Sequence, residues 1–302
     1  MLAIIIPYFK LTFFEATLQS LSNQNNKKFK VYIGDDSSPE NPSNLIEKYK
    51  GQFDFLYHRF EDNLGETSLT KQWERCIDLS NNEEWIMLLC DDDVLGDNVV
   101  QLFYERFTEF AGKTNLIRFA SRQINEKTKV KSEIFTSPTW EKSFDFYIKK
   151  QKGLIRSSLS ECIFSRASYN KFGFRHYPLG WHSDDLAWIE FADSKLVYAI
   201  NEAVVEFRMS FENISGSNTN IEEKALAEYY FKSDLLAEKF NFFTKNQCLF
   251  LLMSYEYCLK KNRNISFQEW MLLLSFYIKV GYIFPLLKCI RRFIIYFLKR
   301  LI

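Results

Sequence analysis

Val31-Tyr32-Ile33-Gly34 runs directly into Asp35-Asp36-Ser37-Ser38, and Trp85-Ile86-Met87-Leu88-Leu89-Cys90 runs into Asp91-Asp92-Asp93. A short apolar run rich in branched and aromatic residues reads as a buried strand. Carboxylates just beyond it fall at the sheet's carboxyl edge, where α/β proteins bind ligands. Two such edges in one chain point to a single site. Three consecutive carboxylates repel one another at short range, and a divalent cation that neutralises them is the simplest reason to assemble them.

Outward from these two strands, the first third of the chain alternates. Strands at 2–6, 29–34, 53–57 and 85–90 are each followed by a helical pattern, near 11–24, 43–50, 66–79 and 97–111. That order predicts a parallel, doubly wound half, with Pro7 cutting the first strand short. Leu116 to Ala120 is one more strand; the pattern then becomes irregular to about residue 180, with a helix at 140–151, and reads as helical from about 221. Ser183 is placed to cap a helix that begins near Asp184 and continues through Leu186, Ile189 and Phe191, with its acids in the first turn as the helix dipole prefers.

At 302 residues and 47% hydrophobic, the chain can bury a large core. A formal net charge of +1 gives no global field to recruit nucleic acid, so electrostatic arguments must be local. The six cysteines show no C-x-x-C spacing and read as reduced thiols in a cytosolic setting. Leu2-Ala3-Ile4-Ile5-Ile6 lacks the basic flank and the length of a secretion signal, which favours the cytoplasm. No G-x-G-x-x-G follows the first strand, which argues against a dinucleotide oxidoreductase. Ile6-Pro7-Tyr8-Phe9 likewise supplies no glycine-rich phosphate loop of the kind a nucleotidyltransferase uses.

Five ordered elements, Ile4-Ile5-Ile6-Pro7-Tyr8, Asp35-Asp36-Ser37-Ser38, Asn63-Leu64-Gly65, Asp91-Asp92-Asp93 and His182-Ser183-Asp184-Asp185, together resemble glycosyltransferase family 2 over roughly residues 2–215. The resemblance implies an α/β GT-A fold, a Rossmann-like mixed sheet, catalysing inverting transfer from a nucleotide-diphosphate sugar, with UDP as the expected nucleotide. It implies a GT-A catalytic domain at 1–215, divided into a nucleotide-sugar half at 1–112 and an acceptor half at 113–215, followed by a helical C-terminal region at 216–302. Pro7, Tyr8, Asp35, Asp36, Asp91, Asp92 and Arg208 are its candidate donor contacts, with Asp36 the choice for the base or ribose. Asp93, with Asp91, is its candidate ligand for Mn2+ or Mg2+. Asp185 aligns with the general base and Asp184 is the runner-up, while Trp181 and His182 are candidate contacts to acceptor or phosphate. The polar segment from Phe211 to Asn220 reads as a lid.

These residue types also have chemistry of their own. A strand-end carboxylate can accept a ring N–H or a ribose hydroxyl, and a carboxylate near the acceptor can take its proton. Asp35-Asp36-Ser37-Ser38 also suits a turn, and Ser-Asp-Asp an ordinary helix start.

The C-terminal end reads as membrane-facing. No acid follows Glu269. At about 100° per residue, Lys288, Arg291, Arg292 and Lys299 share one helix face and Ile290, Phe293, Ile294, Phe297 and Leu301 the other, an interfacial pattern suited to an anionic surface. Trp270 to Leu287 is interrupted by Lys279, Gly281 and Pro285 before the roughly 20 residues that a span needs. The expected activity is therefore a hexosyl or hexosaminyl transfer to a lipid-linked or polysaccharide acceptor, in polysaccharide biosynthesis, by a peripheral enzyme on the inner face of the cell membrane. A nucleotidyltransferase of related fold, or a non-catalytic membrane-associated interaction protein, is the alternative.

Overall fold

The computed structural model describes residues 1–217, 219–262 and 265–298. The chain divides into two compact units, Met1–Asn220 and Ile221–Ile302.

In the first unit the expected alternation appears as β1 (Leu2–Tyr8), α1 (Phe14–Ser22), β2 (Phe29–Asp35), α2 (Ser43–Lys48), β3 (Asp54–Arg59), α3 (Leu69–Asp78), β4 (Trp85–Leu88) and β5 (Val94–Leu95). The helical pattern at 97–111 breaks at Arg106 into α4 (Val99–Glu105) and α5 (Phe107–Phe110). There follow β6 (Leu116–Asn125), β7 (Val130–Lys131), β8 (Trp140–Lys142), α6 (Ser143–Gln151), β9 (Cys162–Ser165), α7 (Arg166–Phe172), a 3-10 turn at Pro178–Gly180, α8 (Ser183–Phe191) and β10 (Leu196–Met209). The helix expected at 140–151 thus begins three residues late, because Trp140–Lys142 pairs antiparallel with β10.

The strands form one mixed sheet in the order β3-β2-β1-β4-β9-β6-β10-β5, with β7 added to β6 and β8 to β10. β3, β2, β1 and β4 run parallel, while β9 is antiparallel to both β4 and β6. The chain order reverses across β1, whose neighbours are β2 and β4, so a crevice opens beyond the carboxyl ends of these strands. Both faces of the sheet are covered. Ile4, Ile6, Val31 and Met87 point to one core with Phe14, Phe103 and Phe110, and Ala3, Ile5, Tyr32, Ile86 and Leu88 point to the other with Trp73, Trp188 and Phe191. Apolar residues on both faces explain why these strands read as unbroken hydrophobic runs.

Pro7 does not stop β1; it sits inside the strand, in register with Gly34. The Ile5 carbonyl accepts from Leu89 N and the Tyr8 carbonyl from Asp36 N, so odd residues of β1 face β4. β4 pairing ends at Leu88 opposite Ile5, and the N–H that proline lacks falls where no partner strand remains.

The second unit is helical: α9 (Ile221–Asp234), a π turn at Leu235–Lys239, a 3-10 turn at Phe240–Phe242, α10 (Lys245–Asn262), α11 (Phe267–Val280) and α12 (Ile283–Leu298). Ser266 and Glu269 form a reciprocal capping box at the start of α11, and Gly281, at φ 79°, ends it in the left-handed conformation that glycine adopts freely. The interfacial reading of α12 needs correction at Arg292, which turns inward. Its Nε lies 2.6 Å from Glu256 Oε1 and its NH2 2.7 Å from Oε2. Phe293 and Phe297 pack on Phe267, and Trp270 meets Phe293, so half of the expected lipid face is spent within the unit. Phe284, Leu287, Lys288, Arg291, Ile294, Ile295 and Leu298 remain exposed. Lys299 and Leu301 lie outside the described residues. Among those residues no helix is long and apolar enough to cross a membrane.

Candidate active site

A cleft of about 1080 Å³ opens at the β1/β4 reversal, lined from β1, the ends of β2 and β4, the end of α6 and the segment between it and β9, the start of α8 and the end of β10. Of the expected site residues, Pro7, Asp36, Asp91, Asp92, Asp93, Trp181, His182, Asp184, Asp185 and Arg208 all line it. Tyr8 and Asp35 do not. Tyr8 is fully buried against Phe14 and its hydroxyl donates to the Glu40 carbonyl at 2.9 Å. Strand alternation turns Asp35 away from the cleft and Asp36 towards it.

Asp35 is a structural carboxylate. It accepts from Ser38 N at 2.8 Å, from the Tyr57 hydroxyl at 2.5 Å and from Arg59 NH1 at 2.8 Å. Asp36 organises the cleft wall: Leu64 N and Gly65 N each donate to it at 2.9 Å, and Arg75 pairs with Oδ1. This explains the Asn63-Leu64-Gly65 element. A Cβ at position 65 would stand 2.3 Å from Asp36 Oδ2, so only glycine lets the loop approach.

The triple Asp begins three residues after Leu88 ends β4, with Leu89 and Cys90 lying between. Asp91 Oδ2 accepts from Phe9 N and Lys10 N at 2.8 and 2.9 Å, tying the turn to the end of β1. Asp93 accepts from Ser160 Oγ at 2.5 Å and from Arg208 N at 2.9 Å, which joins the turn to β9 and β10. Asp92 accepts from Asn213 Nδ2 at 3.2 Å, and the Arg208 Nε donates to its carbonyl at 2.9 Å. Arg208 itself pairs with Glu126 and lies over the Phe13 ring. Burial, then the charge of Asp92, pushes the Asp91 carboxyl up to about 7 and Asp93 well above its ordinary range; burial raises Asp92 too.

Burial and mutual repulsion outweigh the nearby Lys10 and Arg208. The donor set therefore fits a divalent cation, which would restore the ionised state of these acids. Ligand atoms of Cys90, Asp92 and Asp93 lie within 4.8 Å of one another and could together hold the ion, a group that adds Asp92 and Cys90 to the expected Asp93. One oxygen of Asp91, Oδ2, accepts both backbone amides. Sequence reading left Cys90 at the end of its strand, because it took the strand two residues too far.

Facing the acids, residues 179–185 form a strained entry to α8. Leu179, Gly180 and His182 all have positive φ, and a Cβ on Gly180 would meet Trp73 at 3.1 Å. His182, not Ser183, occupies the cap position, and Ser183 lies within the first turn with its hydroxyl 3.4 Å from Tyr177 N. This entry sets Trp181 and His182 at the cleft and stacks Asp184 and Asp185 in the first turn. His182 Nδ1 lies 2.7 Å from Asp185 Oδ2, and Lys150 Nζ lies 2.5 Å from Oδ1. Lys150, Lys10, Phe13 and Arg156 are cleft residues that sequence reading missed, since no motif contains them. From the expected lid, Asn213 reaches Asp92 and holds Gly216 N at 2.8 Å, and Glu212, Asn213, Ile214 and Ser215 line the cleft. Asn218, within that segment, lies outside the described residues.

No curated protein matches the chain. Among solved structures, the TarS 1–349 fragment from S. aureus superposes with a TM-score of 0.62 at 13% identity, covering 92% of this chain and 80% of that one. The same fragment in complex with UDP-GlcNAc gives 0.64 at 13% identity, with 93% and 81% covered. Full-length S. aureus TarS gives 0.62 at 13% identity, with 94% of this chain and 50% of that one covered. At such identity the likeness shows a shared GT-A architecture. The family model described as glycosyl transferase family 2 matches residues 3–177, which spans β1, both strand-end acidic clusters and the whole parallel half of the sheet. With more than half of its length matched, the chain belongs to glycosyl transferase family 2 and is a nucleotide-sugar glycosyltransferase.

Proposed function

We propose that the chain transfers a hexose or hexosamine, with inversion, from a UDP-linked donor to a hydroxyl of a lipid-linked or polysaccharide acceptor at the inner face of the cell membrane. The observation that carries the reading is the cleft itself, which sets buried acids deficient in positive charge at the end of β4 opposite a second carboxylate pair at the start of α8. The uridine donor is supported by the UDP-GlcNAc and UDP complexes of the structurally similar TarS fragment. In this reading Asp36 and the Leu64–Gly65 turn meet the nucleoside. Asp92 and Asp93, with Cys90 beside them, would hold Mn2+ or Mg2+, whose positive charge would offset the negative charge of the diphosphate.

Asp185 takes the proton of the acceptor hydroxyl as that oxygen forms its bond to the anomeric carbon and the bond to the nucleoside diphosphate breaks on the opposite face. Asp184 and Arg208 shape the charge around donor and acceptor, and Trp181 offers an aromatic face to a sugar. Residues 1–215 are the catalytic part. The exposed apolar and basic side chains of α12 favour an anionic membrane surface.

Two measurements on the full chain test this. A thermal-shift panel of nucleotide sugars with and without manganese should single out one UDP-sugar, stabilising the fold by about 2.7 kcal/mol at a hundredfold excess over Kd. Asp185→Asn should bind that donor as the parent does yet lose transfer by roughly 100-fold or more. A chain that no UDP-sugar stabilises, or an Asp185→Asn variant that transfers normally, overturns the donor class or the base in turn.

A further inference from the structure

The Asp185 carboxylate is gripped from both sides, by Lys150 Nζ at 2.5 Å from Oδ1 and His182 Nδ1 at 2.7 Å from Oδ2. The Asp185 side chain is 3% exposed and that of Lys150 22%, so solvent screens the pair weakly. Lys150 comes from the last turn of α6, and only the packing of α6 on α8 brings it to the cleft. Asp184 and Glu161 are the other acids that act on it, and Asp185 is faced by Lys150, His182 and Asp184.

The neighbouring Asp184 shows what this grip accomplishes. Burial, reinforced by the charge of Asp185, pushes its carboxyl up to about 6. Asp185 is the more buried of the two, but there the charges and hydrogen bonds of Lys150 and His182 outweigh burial and hold the carboxyl below the usual range. Two adjacent acids are thus driven apart by one lysine and one histidine.

We propose that Lys150 is a positioning residue of the transfer reaction, whose ammonium fixes Asp185 Oδ1 at the cleft wall and supplies its counter-charge. The inference rests on the reading of Asp185 as the base. Each carboxylate oxygen has lone pairs beyond the one that Lys150 or His182 occupies, so the acceptor's proton passes to Asp185 while Lys150 keeps its own. The cation prevents the base from arriving already protonated, and its geometry fixes which way the free lone pair faces.

The test reads Asp185 directly, by a pH titration of the full chain carrying ¹³C-carboxyl aspartate, with Asp185→Asn assigning the resonance. The parent midpoint should lie below the ordinary value of about 3.9. Lys150→Met should raise it by about 1–3 units, the range of an adjacent opposite charge, and Lys150→Arg should return it towards the parent. Transfer by Lys150→Met should lose kcat at acid pH and recover as pH rises, with the donor KM unchanged. A midpoint that stays in place in Lys150→Met overturns the proposal, as does a rate loss that no change of pH recovers. Should Lys150→Met not fold, Lys150→Gln, closer in polarity, carries the same titration. A chain that transferred no sugar would fail in the transfer assay alone, so the proposed reaction and the proposed ion pair fall separately.

Discussion

The ends of β2 and β4 carry the same kind of residue and treat it in opposite ways. At β2 the protein supplies its own compensation, since Asp35 meets Tyr57 and Arg59, and Asp36 meets Arg75 and two backbone amides. At β4, burial raises the carboxyls of Asp91, Asp92 and Asp93, as it raises Asp36 at β2, but these three make no ion pair among the described residues. A strand-end acid therefore signals a cation only where the fold withholds the opposite charge. The β2 pair builds the wall of the cleft, and the β4 triple leaves it a demand for cation.

The comparison is most exposed to failure at Asp93. Asp93→Asn keeps an acceptor for Arg208 N and a partner for Ser160 while removing charge, so cation-dependent donor binding should weaken by several kcal/mol, about 1000-fold, as measured by calorimetry with and without manganese. Without divalent cation the same variant should melt no lower than the parent, because burial already disfavours a charge at this position and the amide carries none. A lower melting temperature with unaltered binding would make Asp93 another Asp35.

Arg75→Met sharpens the other side. Arg75 is 17% exposed at its side chain and Asp36 5%, so losing the guanidinium strands a nearly buried carboxylate and also removes the stack on Phe60. The fold should lose about 3 kcal/mol in denaturant unfolding, whether or not manganese is present. If manganese restored the loss, Asp36 would belong with the β4 acids rather than with Asp35.

The parallel half of the fold was legible because β1, β2 and β4 are buried on both faces and announce themselves locally. What could not be read were facts that depend on partners distant in the chain. That both Asp35 and Asp36 are matched by a cation turns on Arg59 and Arg75, from β3 and α3. The end of β4 at Leu88 rather than Cys90 turns on β1, which offers pairing only as far as Ile5. Ser183 looked like a cap, but the left-handed His182 takes that place and frees its ring for Asp185. Lys150 belongs to no motif, and its role arises from α6 packing on α8. The same distinction between matched and unmatched charge corrects α12, where the two adjacent arginines looked equivalent.

Arg292 is matched by Glu256, while Arg291 and Lys288 have no carboxylate partner among the described residues and stand exposed beside Leu287, Ile294 and Ile295. Glu256 also takes Lys260 and the Tyr277 hydroxyl, so cutting the chain before α12 would remove Arg292 and the buried Cys289 and disturb the whole helical unit. A single exposed charge is the cleaner probe. Arg291→Gln should weaken sedimentation with phosphatidylserine vesicles by about 1 kcal/mol, roughly fivefold, at physiological salt, and leave the melting temperature unchanged. Arg292→Gln should do the reverse, lowering the melting temperature by leaving Glu256 undercompensated while altering lipid binding little. Equal effects of the two on vesicles would mean that the field of the whole helix, rather than its exposed stripe, meets the membrane. No vesicle binding by the parent chain would return α12 to a role in packing alone.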